Sequence, residues 1–279
     1  MEGQDIFERI SSRYFDLTAS ERRAADYILA HREQVQDRSI SELAEACDVA
    51  EATLSRFCRR LGLKGYNTFR LELARSAAAC GGERGAEDAG CGAVCRRRLR
   101  ENLDALEQTA RLTDPETVRR GAELLMGARR VACMGLGRSM VMAAEAWTLF
   151  SAILPQITFV PDPHLQLSAL ALMEEGDAVL FFSYSGSSGE LPQALDLARE
   201  RGVKVLLITR FPSSPGGRRA DLVLQCGSRE GPLQAGSAEA RIAQLFVMDL
   251  LFAEICRLDP EGTAARQERV AGALARKHL

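Results

Sequence analysis

The run Ser183-Tyr184-Ser185-Gly186-Ser187-Ser188-Gly189-Glu190 gathers hydroxyls and glycines where binding chemistry can be done. It follows Asp177–Phe182, an apolar stretch that reads as a buried strand, and precedes Leu191–Arg201, whose apolar spacing is helical. A strand therefore passes through a hydroxyl-rich turn into a helix start. Unpaired backbone N–H groups and the positive end of the helix dipole favour an anion there, so the turn offers a neutral cradle for a phosphate. Serine is also a common helix cap, and the same residues fit a turn without a ligand. A second loop, Gly135-Leu136-Gly137-Arg138-Ser139, follows the apolar run Val131–Met134. Its Gly-x-Gly could open a dinucleotide fingerprint, but Met140 stands where a third glycine would let the helix pack close, which weighs against NAD. Read together, the two loops let Ser139, Ser183, Ser185 and Ser188 flank one phosphate.

The elements that must hold these loops alternate from Asp114 onward. Val131–Met134, Ile157–Val160, Asp177–Phe182, Val203–Thr209 and Leu222–Leu224 read as strands. Residues 139–153, 164–174, 191–201 and 239–257 read as helices. Such alternation predicts an α/β domain, a doubly wound parallel sheet covered by helices on both faces, with ligands beyond the carboxyl ends of its strands. His164 and Glu190 lie near those ends. His164 beside Pro163 fits a surface or capping role as well as ligand contact, and Glu190 fits either a ligand hydroxyl or the dipole of its own helix.

The first part of the chain is patterned differently. Ile6, Phe7, Ile10, Tyr14 and Phe15 recur at helical spacing, and two capping boxes, Thr18-Ala19-Ser20-Glu21 and Ser39-Ile40-Ser41-Glu42, open further helices. The second box leads through Cys47-Asp48-Val49 into a helix from about Ala50 to Leu61. Two short helices joined by a tight turn describe a helix-turn-helix, and so an all-α N-terminal domain. Its second helix would lie in the major groove of double-stranded DNA. That helix offers Glu51, Ala52, Thr53, Ser55 and Arg56 near its start. Arg56 suits a guanine edge, Thr53 and Ser55 suit bases or phosphates, and Arg59, Arg60 and Lys64 suit phosphates. No acidic residue occurs between Ala52 and Leu71, although the net charge is only −2, so a polyanion partner is expected for that face alone. A small helical bundle with a solvated basic face is the plainer alternative.

At 279 residues the chain has room for two domains. The expected division is 1–78 for the helical head, 79–92 for a Gly-rich linker, 93–113 for a connecting helix, 114–258 for the α/β domain and 259–279 for a helical tail. No cationic apolar leader and no long uncharged apolar run is present, so a cytoplasmic location is expected, without a membrane partner. The eight cysteines lack paired spacing and read as free thiols. The loose group Cys80, Cys91 and Cys95 has no neighbouring histidine, so neither a metal nor any other cofactor is expected.

Two resemblances follow from these residues. Leu17-Thr18 through Glu42-Leu43-Ala44, Ala52-Thr53, Arg56-Phe57, Leu61-Gly62 and Lys64-Gly65-Tyr66 with Phe69 resemble the N-terminal domain of the MurR/RpiR family of bacterial transcriptional regulators. Asp48 and Ala50 depart from that family's usual Gly and Ser in the turn, and a lost Ser cap costs about 1 kcal/mol. The resemblance adds Tyr66 to the expected DNA-contacting residues. Residues 114–257 resemble the SIS (sugar isomerase) phosphosugar-binding domain through Gly135–Ser139, Ser183–Glu190 and Arg241-Ile242-Ala243-Gln244-Leu245, with Ser188 in place of the usual Thr. This implies a sugar-phosphate effector site of Gly137, Arg138, Ser139, Ser183, Tyr184, Ser185, Gly186 and Ser188, with Glu230 near the sugar. Separately from the resemblance, the Gly and Pro content of residues 231–237 reads as a mobile segment able to close over a ligand. The expectation is a regulator, preferably a repressor relieved by ligand, acting as a homodimer or homotetramer and not as an enzyme. A phosphosugar isomerase using Glu190, Glu230 or His164 as acid and base is the principal alternative, and a protein-binding assembly module is a third.

Overall fold

The computed structural model describes residues 5–35, 38–80, 90–228 and 238–276. They fall into two compact units, one ending at Glu101 and the other starting at Asn102. Among the described residues no helix is long and apolar enough to cross a membrane.

The first unit is helical: α1 (Ile6–Arg13), α2 (Ala19–Ala30), α3 (Arg32–Val35), α4 (Ile40–Ala46), α5 (Glu51–Arg60) and α6 (Tyr66–Cys80). Ile6, Ile10, Ala24, Ala25, Ile28, Leu43, Leu54, Phe57, Leu61 and Phe69 form its core. Both capping boxes close. The Thr18 hydroxyl accepts from the Glu21 N–H at 3.4 Å while Glu21 Oε2 accepts from the Thr18 N–H at 2.8 Å. Ser39 and Glu42 repeat this at 3.3 and 2.7 Å. The two hydrogen bonds from Ser39 hold the Glu42 carboxyl below the usual range. Between α4 and α5 the chain reverses through Asp48, whose φ is 52°. Asp tolerates that left-handed backbone better than most residues, and the Val49 N–H then reaches back to the Ala44 carbonyl at 2.9 Å. Ala50 occupies the N-cap of α5 with no side chain to cap it.

A long helix, α7 (Cys91–Leu112), contains the break between the units. The second unit continues with α8 (Pro115–Gly127), β1 (Val131–Gly135), α9 (Ser139–Phe150), β2 (Ile157–Phe159), α10 (Pro163–Ala171), β3 (Ala178–Phe182), α11 (Leu191–Glu200), β4 (Lys204–Thr209), β5 (Leu222–Gln225), α12 (Ala238–Leu258) and α13 (Pro260–Ala275). The five strands form one parallel sheet in the order β2-β1-β3-β4-β5. Alternate residues feed opposite faces. Leu180, Phe182, Leu206, Ile208 and Leu224 pack with α8, α9 and α12. Val179, Phe181, Val205 and Leu207 pack with α10 and α11. This is the doubly wound arrangement the alternation predicts. Its amino edge is clamped by buried Asp177, which Arg130 meets at 2.6 Å and Arg129 at 3.4 Å.

Candidate functional site

On α5 the apolar residues Leu54, Phe57 and Cys58 face inward, so the opposite stripe faces water. That stripe carries Glu51, Ala52, Arg56, Arg59 and Arg60 as exposed residues, with Ser55 half-buried and Lys64 exposed just beyond. Three of the residues expected at DNA are placed otherwise. Thr53 is buried, and its hydroxyl accepts from Arg56 Nη2 at 3.4 Å, because position 53 falls on the inward side of the helix beside Leu54. Arg60 is drawn back into its own unit: Nε lies 3.2 Å from Glu21 Oε2 and Nη1 donates to the Asp16 carbonyl at 3.0 Å. The Tyr66 hydroxyl donates to the Arg38 carbonyl at 2.9 Å, which positions the start of α4. Glu51 accepts a hydrogen bond from the Ser41 hydroxyl across the turn. Of the cations expected at DNA, Arg56, Arg59 and Lys64 remain outward.

In the second unit both loops lie where predicted, at the carboxyl edge of the sheet. Gly137 has a φ of 55°. Gly135, and not the position of Met140, supplies the close approach to the helix: a Cβ there would stand 2.7 Å from the Ser139 carbonyl oxygen. Arg138 is exposed and Ser139 half-buried at the start of α9.

The Ser183 loop is knitted to the segment after β4. The Ser183 N–H donates to the Ile208 carbonyl at 3.1 Å, and the Arg210 N–H and Thr209 hydroxyl both donate to the Tyr184 carbonyl at 3.0 Å. Gly186 has a φ of 61°, and a Cβ on it would strike Ser214 Oγ at 1.9 Å. The Gly216 N–H meets the Gly186 carbonyl at 2.8 Å. Within the loop, Ser185 Oγ accepts from the Ser187 N–H at 3.3 Å, and Tyr184 shares a hydrogen bond with the Ser228 hydroxyl. Ser183 is buried, yet its hydroxyl has no hydrogen-bond partner. Among the described residues the N–H groups of Ser188, Gly189 and Glu190, just ahead of α11, donate to no acceptor. These groups can receive an anion.

Glu230 and residues 231–237 lie outside the described residues, as does the Cys80 side chain of the loose cysteine group. Among the described residues no group of acids, histidines and cysteines is placed to hold a metal. His164 projects into solvent 3.8 Å from Asp162, whose carboxylate caps α10, and Glu190 is exposed. Two buried polar residues at this edge escaped the sequence reading. Gln166 donates to the Gly135 and Val160 carbonyls, both at 2.9 Å. Arg210, directly after β4, is buried. No local pattern marks it as buried, since a charged residue after an apolar run reads as the start of a loop.

Residues 4–80 match the model of the helix-turn-helix domain of the rpiR family, and residues 124–254 match that of the SIS domain. The chain is 34% identical over 253 residues to an HTH-type transcriptional regulator of Caldanaerobacter subterraneus, covering 89% of each. It is 33% identical to the HTH-type transcriptional regulator HexR of Pseudomonas aeruginosa, covering 89% of this chain and 88% of that one. Among solved structures it is similar to the Vibrio vulnificus NanR protein complexed with ManNAc-6P, with 27% identity, a TM-score of 0.63, and coverage of 97% and 98%.

Proposed function

The chain belongs to the rpiR family of helix-turn-helix transcriptional regulators with an SIS domain, and from that premise we propose that it represses its target genes until a phosphorylated sugar binds the Ser183 loop. The observation that carries the effector assignment is the buried Ser183 hydroxyl without a partner, set beside the open N–H groups ahead of α11. A buried hydroxyl left unpaired is costly, and an incoming phosphate oxygen removes that cost while the helix dipole favours its charge. NanR, similar along 97% of this chain, is complexed with ManNAc-6P, which fits a phosphorylated sugar as the ligand here.

In this reading residues 1–78 are the DNA-reading head and residues 114–258 the sensor. Arg56 reads a base edge, and Arg59 and Lys64 neutralise phosphates. Two copies present two heads to a pseudo-palindromic operator in the cytoplasm. Ligand acts by binding one arrangement of the assembly better than another, since only differential affinity moves such an equilibrium. In this reading the chain acts as a regulator and not as an enzyme, which fits the solvated setting of His164 and Glu190, since a base for a carbon acid needs a desolvated, oriented one.

The test is fluorescence anisotropy of the purified chain on duplex DNA from upstream of its own gene, at fixed salt, with a panel of sugar phosphates. Sequence-selective binding that one sugar phosphate weakens is expected. Turnover of any of them, or equal affinity for random DNA, sinks the reading.

A further inference from the structure

The Ser183 loop touches a second element of the chain through Tyr184. The Ser183 N–H continues the β3–β4 ladder by donating to the Ile208 carbonyl, so side chains still leave alternate faces of the extended chain here. Ser183, with its unpaired hydroxyl, belongs to one face. Tyr184 belongs to the other and packs against the core of Leu180 and Phe182. There its hydroxyl shares a hydrogen bond of 2.5 Å with the Ser228 hydroxyl, just beyond β5. The Tyr184 carbonyl accepts from the Arg210 N–H and the Thr209 hydroxyl, so the residue is held at both ends.

Ser228 is buried, and the residue before it lies directly on α7. The Gly227 N–H donates to Thr109 Oγ1 at 2.9 Å, and that hydroxyl donates in turn to the Ala105 carbonyl at 2.6 Å. No side chain fits between the two segments: a Cβ on Gly227 would stand 2.7 Å from Gln108 Cγ and 2.8 Å from Gln108 Oε1. One turn later the Thr113 hydroxyl donates to the Thr109 carbonyl at 2.8 Å and lies 3.5 Å from the Gln225 carbonyl. Thr109 and Gln108 are both buried. Packing at position 109 would be met equally by valine, which has the shape of threonine. The hydroxyl serves the buried Gly227 N–H, which would otherwise lack an acceptor.

The contacts from Ser183 to Thr109 are therefore continuous, running through the Tyr184 side chain and the Ser228–Gly227 backbone to α7. This helix contains the break between the two units, so the chain passes along it from the sensor to the helical head. A packed, hydrogen-bonded chain of this kind couples its ends when a ligand biases one of them.

We propose that Thr109 is a positioning residue for the effector response: it ties the Tyr184–Ser228 contact to α7, so that anion binding at the Ser183 loop changes the local stability of that helix. This rests on the reading of the Ser183 loop as the effector site and adds to it the element that responds to its occupancy.

The test is hydrogen exchange of the full chain, followed by mass spectrometry with and without inorganic phosphate at matched ionic strength. Wild type, Thr109→Val, Thr109→Ser and Ser228→Ala are compared. In the wild type, phosphate is expected to slow exchange at least about twofold both in residues 183–190 and in residues 102–112. Thr109→Val and Ser228→Ala are expected to keep the slowing in the loop and to lose it in α7, and Thr109→Ser to retain both. A merely structural Thr109 would speed α7 exchange in Thr109→Val with and without phosphate alike and leave the phosphate difference in place, which overturns the proposal. Slowing of the loop without α7 in the wild type overturns it too, as does loss of the α7 response in Thr109→Ser. Absence of slowing in both segments of the wild type removes the serine loop as an anion site, and this proposal with it. Should Thr109→Val fail to fold, Ser228→Ala decides, and an α7 response at the wild-type level in that variant refutes the tie.

Discussion

Arg60 Nε and Glu21 Oε2 stand 3.2 Å apart, joining the last turn of α5 to the first turn of α2. The same Glu21 carboxylate oxygen accepts from the Thr18 N–H and hydroxyl, so one buried acid both caps α2 and orients the DNA-facing helix. Removing the arginine leaves that acid buried and under-partnered. Arg60→Ala is expected to lower the stability of the helical unit by about 2 kcal/mol. Arg59→Ala, on an exposed residue without an ion pair among the described residues, is expected to stay within about 0.5 kcal/mol. Urea unfolding followed by circular dichroism separates the two, and equal small losses would remove the structural role from Arg60.

The exposed edge of α5 divides its cations by position along the groove. Arg56 lies near the start of the helix, the part that a helix-turn-helix presents to base edges, whereas Lys64 lies beyond its end. Arg56→Ala is expected to reduce the discrimination between operator and random DNA by about 1–3 kcal/mol. Lys64→Ala is expected to weaken both together and to flatten the salt dependence by about one phosphate contact. Anisotropy titrations at several salt concentrations measure both, and equal losses on the two DNAs for Arg56→Ala would take base reading away from it.

Ala50 leaves the start of α5 uncapped, while Thr18 and Ser39 cap α2 and α4. Its backbone already has cap geometry, with φ −74° and ψ 148°, so a serine needs no rearrangement to reach the first-turn N–H groups. Ala50→Ser is expected to stabilise the head by about 1 kcal/mol, and Ser39→Ala to destabilise it by a similar amount. A melting temperature unchanged in Ala50→Ser would show that water or another group already satisfies those donors.

These contrasts show what the sequence makes readable. The capping boxes of Thr18 and Ser39 are local, three residues wide, and the structure forms both. The sheet and its two loops follow from alternating apolar periods, which need no knowledge of distant contacts. The inward turn of Thr53 and the tether of Arg60 are another matter. Arg60 meets Glu21 across 39 residues of chain, and no periodicity marks such a pair in advance. Arg210 misleads for a related reason: a charged residue after an apolar run reads as the exposed start of a loop, yet it is buried.

Asp177 sets an acid limit for the second unit. Burial alone would raise its carboxyl pKa, but the hydrogen bonds from Arg130 and the Glu174 N–H, and the charges of Arg130 and Arg129, together hold it below the usual range. A carboxyl depressed on folding contributes stability that is complete above its unfolded value of about 4 and disappears as pH falls through the folded value. Acid unfolding is therefore expected to steepen below about pH 4. Asp177→Asn, less stable at neutral pH, is expected to show a shallower acid limb. Parallel limbs for the two proteins would assign the acid sensitivity elsewhere.

Ser183 separates binding from folding more cleanly than any other residue of its loop. Ser185 accepts a loop N–H and Tyr184 bonds Ser228, so changing either disturbs the turn as well as any ligand contact. The Ser183 hydroxyl is buried and makes no hydrogen bond, so the folded protein gains nothing from it. Ser183→Ala deletes an unpaired polar group at almost constant volume and is expected to leave stability within about 0.5 kcal/mol or to raise it. If that hydroxyl waits for a phosphate oxygen, the same change weakens the effector by about tenfold or more, a hydrogen bond to a charged group being worth about 1.5–3 kcal/mol. DNA affinity without effector should not move, because the change lies in the other unit. Calorimetric titration with the active sugar phosphate, beside thermal melting and DNA anisotropy, reads all three quantities, and unchanged effector affinity would take Ser183 out of the site.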